Sequence, residues 1–151
     1  MPELVTGHAE VTIMRPPAEV FAAIADVTKM GQWSPETTAC RWQGDGEALG
    51  ATFEGDNEAR LGPITLKRWT TVSEVTAYEE SRVFEFVAEK TTRWRFELES
   101  VDGGTRVSES FTYPPVSGLQ KILYNAAGSR RKAMTKGMQQ TLGRLKAALE
   151  A

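Results

Sequence analysis

Apolar residues near the end of the chain fall at Leu119, Ile122, Leu123, Ala126, Ala133, Met134, Met138, Leu142, Leu145, Ala148 and Leu149. Steps of three and four mark one face of an α-helix. The pattern predicts a helix over 119–149, about 45 Å long if continuous. Upstream the period is two. Arg93 to Glu99 sets Trp94, Phe96 and Leu98 on one side and Arg93, Arg95, Glu97 and Glu99 on the other, and Arg82 to Ala88 sets Phe84 and Phe86 opposite Glu85. Strands with one apolar and one polar side belong to antiparallel sheets with one wet face. Such a sheet needs a cover for its apolar side, and the terminal helix is the only long apolar element able to supply it.

The remaining elements follow from punctuation. His8 to Met14 alternates and predicts the first strand. Pro16-Pro17 ends it, and Pro17 suits the first turn of a helix carrying Val20, Phe21, Ile24 and Val27. Asp26 is placed to cap a second short turn near Met30-Gly31, closed by Trp33-Ser34-Pro35-Glu36 with Trp33 as an apolar plug. Thr38 to Trp42 and Gly50 to Glu54 predict two more strands, the second ending at Gly55-Asp56-Asn57, with 57–63 as a loop or hairpin end. Ile64 to Thr76 is a long β-branched run. Asp102-Gly103-Gly104 signals a hairpin into a last strand, Thr105 to Tyr113, which Pro114-Pro115 ends. The sum is an α+β chain: a curved antiparallel sheet of about seven strands, two short helices after the first strand, and a long C-terminal helix. No repeat, low-complexity segment or interdomain linker interrupts it, so 1–151 reads as a single domain.

Composition narrows the chemistry. At 151 residues, folding buries roughly 70% of the chain's surface, enough for a core without staples. One cysteine, Cys40, excludes an internal disulfide framework and a cysteine-based zinc site. One histidine, His8, leaves no second imidazole for a metal and no support for a Ser-His pair beyond a strand residue near the terminus. No phosphate-binding glycine loop, dinucleotide fingerprint or His-Glu-x-x-His is present, so no metal and no cofactor is expected. Met1-Pro2-Glu3 begins neither a basic nor an apolar leader, and no apolar run approaches the length of about 18 residues that marks a membrane span. The expectation is a soluble cytoplasmic protein, monomeric or homodimeric. The net charge of −2 conceals a split: residues 1–118 hold 11 basic and 19 acidic side chains, residues 119–151 hold 7 and 1. The basic helix face is either a solvated surface beside an acidic sheet or a contact for an anionic partner, with peripheral lipid contact as one form. The acidic remainder and the lack of a nucleic-acid motif argue against nucleic acid.

The side predicted to face the helix is rich in rings: Trp42, Phe53, Trp69, Phe84, Phe86, Trp94, Phe96, Phe111 and Tyr113. The helix answers with small or flexible residues, Ala133, Met134, Gly137 and Met138. The two sets either interdigitate as solid core or leave an apolar cavity of the kind that takes small ligands. Glu109 falls in phase with Val107, Phe111 and Tyr113, so in a regular strand its carboxyl points inward, where burial raises its pKa. A bulge that turns it outward, or pairing with Arg68, Arg93 or Arg95, is the alternative. Tyr113, Tyr124 and Arg130 are further polar candidates near the helix start. The candidate ligand-binding set is Trp33, Phe53, Trp69, Thr71, Phe84 and Phe86, with Trp94, Phe96, Glu109, Phe111, Met134 and Met138 completing it.

The element order, the Pro16-Pro-Ala-Glu-Val-Phe21 start and the Trp33-Ser-Pro-Glu36 stretch resemble the START/Bet v 1-like (SRPBCC) superfamily, nearest its small single-domain polyketide cyclase/dehydrase members. Gly50-Ala-Thr-Phe-Glu-Gly-Asp-Asn57, Arg68-Trp-Thr-Thr71, Phe84-Glu-Phe86, Trp94-Arg-Phe96, Gly104-Thr-Arg-Val-Ser-Glu-Ser110 and Gly137-Met-Gln-Gln-Thr-Leu142 carry the likeness across nearly the whole chain. The resemblance implies a helix-grip fold around a deep hydrophobic cavity for lipids, polyketides or similar molecules. It also implies that cyclising members use an arginine and hydroxyl groups in the cavity. Here the serine position falls at Ser73, the arginine position holds Val75, and a tyrosine position falls close to Cys40. Those departures favour carrying over binding rather than a reaction. Three functions are therefore set against one another: binding of an apolar small molecule, a cyclase- or dehydratase-type enzyme with Glu109 as acid or base, and a co-chaperone-like protein-interaction module using the basic helix face.

Overall fold

A computed structural model describes residues 4–45, 48–114 and 130–151. Strand β1, Val5–Ile13, is followed by helix α1, Pro17–Ala25, a 3₁₀ turn, Val27–Lys29, and the short helix α2, Met30–Trp33. Six strands follow: β2 Thr37–Gln43, β3 Thr52–Leu61, β4 Ile64–Glu79, β5 Val83–Ala88, β6 Thr92–Val101 and β7 Gly104–Tyr113. Helix α3, Arg130–Glu150, ends the described chain. The strands form one curved antiparallel sheet in the order β1-β7-β6-β5-β4-β3-β2. Chain order and sheet order thus agree from β2 to β7, and β1 closes onto β7 after the whole meander.

Local chemistry accounts for the short elements. Proline at the first turn of α1 forfeits no hydrogen bond. Asp26 accepts from the backbone N–H of Thr28 at 3.1 Å, which caps the 3₁₀ turn as its position suggested. α2 lies so close to β2 that a Cβ on Gly31 would stand 2.2 Å from the Thr38 carbonyl oxygen. Gly7 plays the same part on β1, where a Cβ would stand 2.3 Å from the Phe111 ring.

Two expectations need correction. Gly55-Asp56-Asn57 is no strand end: β3 runs on to Leu61, and the turn falls at Gly62-Pro63, where Gly62 takes φ 59°. Gly55 is there because it faces Cys40 Sγ and Thr71 Oγ1, at 3.3 and 3.4 Å from where its Cβ would be. Residues 57–61 are therefore strand, and of the two forms expected for 57–63 the hairpin end holds and the loop does not. On the helix, Ala133 and Ala148 are exposed, and the buried face is Met134, Met138, Thr141, Leu142 and Leu145. Residues 119–129 of the predicted helix, with Tyr124, lie outside the described residues.

The core fills the space between the inner sheet face, α1 and α3. Its fully enclosed members include Ile13, Val20, Phe84, Phe111, Met138 and Leu142. α3 runs along the free edge of β1. Arg131 Nε donates to the Thr6 carbonyl at 2.8 Å, Lys146 Nζ to the Thr12 carbonyl at 2.7 Å, and the Met14 N–H donates to Glu150 at 2.8 Å. The helix thereby satisfies edge groups that would otherwise template another strand. Much of the basic helix face is committed inside the molecule, since Arg130 pairs with Glu36 and Arg144 donates to the Trp33 carbonyl.

Candidate functional site

The inner face is built in rows set by strand register. One row runs Gly7, Phe111, Trp94, Phe86, Val75 across β1, β7, β6, β5 and β4. The next runs Ala9, Glu109, Phe96, Phe84, Tyr78. Their rings meet edge-on or tilted: Trp94 with Phe111 at 5.6 Å between centroids, Phe84 with Phe86 at 5.9 Å, and Phe53 with Phe86 at 5.1 Å.

Glu109 stands in this aromatic field. The register of β7 is unbroken against both β1 and β6, so no bulge turns the side chain away. The three arginines that might have met it are engaged elsewhere: Arg68 pairs with Glu58, and Arg93 and Arg95 pair with Glu85 on the outer face. Glu109 is buried, and among the described residues its Oε1 has no hydrogen-bond partner. Burial alone pushes its carboxyl up to about 8. At neutral pH it is chiefly a carboxylic acid, able to donate a hydrogen bond.

Glu85 shows the opposite outcome for the same residue type. Its burial would raise its pKa, but hydrogen bonds from Arg95 and Thr76, both 2.8 Å, and the charges of Arg93 and Arg95 outweigh that and hold the carboxylate below its ordinary value. The alternation expected Glu85 on the wet face, and the structure places it on that face beneath a cover of arginines.

The other candidates divide by depth. Trp33, Phe53, Phe84, Phe86, Phe96, Phe111, Met134 and Met138 are buried. Trp69, Thr71 and Trp94 are only partly buried. Thr71 belongs to a polar group that the alternation along the chain does not reveal. Asn57 is buried and donates to the Gly55 and Trp69 carbonyls and to Thr71 Oγ1, while its own oxygen accepts from Thr37 Oγ1 at 2.8 Å. Ser73, one step along, is buried opposite Phe53. The phase of Phe53 continued by two and four residues points to Asn57, a signal that a strand ending at Gly55 conceals. Cys40 is buried, with its thiol 3.9 Å from Met30 Sδ and pushed up to about 11 by burial, so it is no nucleophile. His8 is exposed on the outer face of β1. Among the described residues no cluster of His, Cys, Asp and Glu has metal-binding geometry, and no helix is long and apolar enough to cross a membrane.

The model of the family described as polyketide cyclase / dehydrase and lipid transport matches residues 5–150. The chain belongs to this family. It shares the Bet v 1-like fold of the SRPBCC superfamily. Among solved structures it is similar to the Polyketide_cyc-like protein Cgl2372 of Corynebacterium glutamicum, with 28% identity, a TM-score of 0.65, and 99% of this chain and 94% of that one covered. It is similar in fold to Ara h 8.0201, with 15% identity, a TM-score of 0.68, and 98% and 99% covered. It is also similar in fold to the di-domain ARO/CYC BexL from the BE-7585A biosynthetic pathway, with 17% identity and a TM-score of 0.77, where 98% of this chain matches 50% of that one. No curated protein matches the chain significantly.

Proposed function

We propose that this family member binds a hydrophobic small molecule, a lipid, polyketide or similar compound, between the concave sheet face and α3, with Glu109 as its polar anchor. The observation that carries the reading is the unpartnered carboxyl oxygen of Glu109 in an otherwise apolar row. Leaving such a group unsatisfied costs about 1–3 kcal/mol, and a guest oxygen accepting from the protonated carboxyl would relieve it. The rings of Phe84, Phe86, Trp94, Phe96 and Phe111 supply apolar contact around it, and Met134 and Met138 supply a side that adapts to shape. Trp33, Phe53, Trp69 and Thr71 complete the proposed set. Family membership supports the class of ligand and leaves its identity open.

Native mass spectrometry of protein purified from its own host, beside titration with a fluorescent apolar probe, tests this. The expected result is a co-purified organic guest or saturable probe binding, weakened about tenfold or more in Glu109→Leu and less in Glu109→Gln, which keeps a donor. Absence of any saturable binding overturns the reading.

One observation favours a catalytic version of the same site. A carboxyl group that burial pushes up to about 8 is suited to general acid–base work at neutral pH. In that version Glu109→Gln retains binding and loses turnover of a bound polyketide, and a bound polyketide left unchanged by the native protein rejects it.

A further inference from the structure

β3 and β4 are longer than their neighbours. The last β2 partner of β3 is Asn57, paired with Thr37, and β4 pairs with β5 only from Ser73 onward. Residues 58–61 and 64–68 are therefore a two-stranded ribbon that leaves the sheet. A ribbon of this kind gains little stability by itself, yet its tip carries large aliphatic side chains open to solvent: Leu61 is 68% exposed, Ile64 60% and Leu66 63%. Aliphatic groups gathered in this way mark a contact surface.

Charge identifies the contact. Behind the tip stand Arg60, Lys67 and Arg68 against one carboxylate, Glu58. Glu58 already holds Arg60 at 2.8 Å and Arg68 at 3.1 Å. At 3.3 Å rise per residue the three cations lie within about 17 Å of the turn. The ribbon's root touches the start of α3 through a short chain of contacts. The Glu58 N–H donates to the Glu36 carbonyl at 2.9 Å, and the Glu36 carboxylate pairs with Arg130 at 3.3 Å. Beyond Arg130, the cations Arg131, Lys132 and Lys136 line a surface groove of about 580 Å³ between α3 and β1. Among the described residues no carboxylate pairs with any of those three. One end of the molecule thus combines an apolar tip with a cationic shoulder.

We propose that this end docks on an anionic lipid surface, with Leu61, Ile64 and Leu66 entering the acyl boundary while Lys67, Lys132 and Lys136 meet the headgroups. Burial of apolar side chains combined with attraction of basic ones to anionic lipid is the physics of interfacial anchoring. A protein partner is the poorer fit, since leucine is under-represented among the residues that dominate protein interfaces. The docking is independent of whether the interior holds a guest.

Co-sedimentation of the full chain with phosphatidylcholine vesicles, with and without phosphatidylglycerol, tests it. The expected result is binding to the mixed vesicles that weakens with added salt and is much lower on phosphatidylcholine alone. Leu61→Ser/Ile64→Ser/Leu66→Ser, at exposed positions, should lower the partition coefficient about tenfold or more. Lys67→Gln/Lys132→Gln/Lys136→Gln should remove the preference for anionic lipid. Should the serine variant lose its native circular dichroism, a fluorescent label on Leu61→Cys answers instead, because Cys40 is buried, and the label should shift to the blue on mixed vesicles. The proposal is overturned by no sedimentation with mixed vesicles, by a folded serine variant that binds as the native chain does, or by an unshifted label. Self-association without lipid that the serines abolish, joined to no vesicle binding, also overturns it and makes the ribbon a contact between copies.

Discussion

Between Ala9 and Phe96, in the register of β7, a buried carboxyl group stands whose Oε1 has no hydrogen-bond partner among the described residues. Its protonation is coupled to stability with a definite sign. Below its unfolded pKa near 4.5 the carboxyl is neutral in both states and burial costs little. As pH rises toward about 8 the unfolded chain ionises while the folded one holds its proton, so stability falls across that window and levels off above it. The full shift corresponds to about 5 kcal/mol. Chemical denaturation of Glu109→Gln should lack this decline, so the variant is the more stable protein at pH values above about 8. Parallel curves for the two proteins from acid to alkaline pH would mean that Glu109 is solvated or paired in solution.

At the scale of elements, two arrangements hold the sheet that presents this residue. Glu85 links β5 to β6 through Arg95 and to β4 through Thr76. Glu85→Ala removes the acceptor shared by half-buried Arg95 and exposed Thr76 and should destabilise by about 1 kcal/mol, measured as a lower urea midpoint with an unchanged slope. Its pH signature runs opposite to that of Glu109, because a carboxylate held below its ordinary pKa contributes stability that is lost as pH falls into the acid range. The second arrangement is the seam between α3 and β1. Arg131→Ala/Lys146→Ala removes both donors to the edge carbonyls of Thr6 and Thr12 and should cost about 1–2 kcal/mol in total. The check is faster amide exchange in β1 and α3 than in β5 and β6.

Over the whole molecule, the two proposed surfaces, the inner sheet face opposite α3 and the end bearing the ribbon, meet on β4, where Lys67 Nζ lies 5.4 Å from the centroid of the Trp69 ring. Met138 lies on the buried face of α3, and Met138→Trp adds bulk to the enclosed core. It should weaken binding of an apolar probe about tenfold or more if the guest shares that space, while leaving vesicle binding through Leu61 unchanged. Probe titration and vesicle sedimentation of the one variant check both halves, and unaltered probe affinity would move the guest elsewhere.

Period and punctuation in the chain determined most of the architecture, because alternation at β5, β6 and β7 and the proline and glycine stops are local effects of side-chain geometry. The inward phase of Glu109 was legible for that reason. What lay beyond local pattern was decided by packing. β3 continues through Gly55-Asp56-Asn57 because Asn57 finds hydrogen bonds on neighbouring strands and Gly55 makes room for Cys40 and Thr71. The arginines that might have neutralised Glu109 are held on the opposite face by Glu58 and Glu85. Much of the helix's positive charge is spent on the β1 edge and on Glu36. Whether a carboxylate is paired, and whether a cation is free, depends on which distant groups the sheet brings within about 3 Å, and no spacing along the chain encodes that distance.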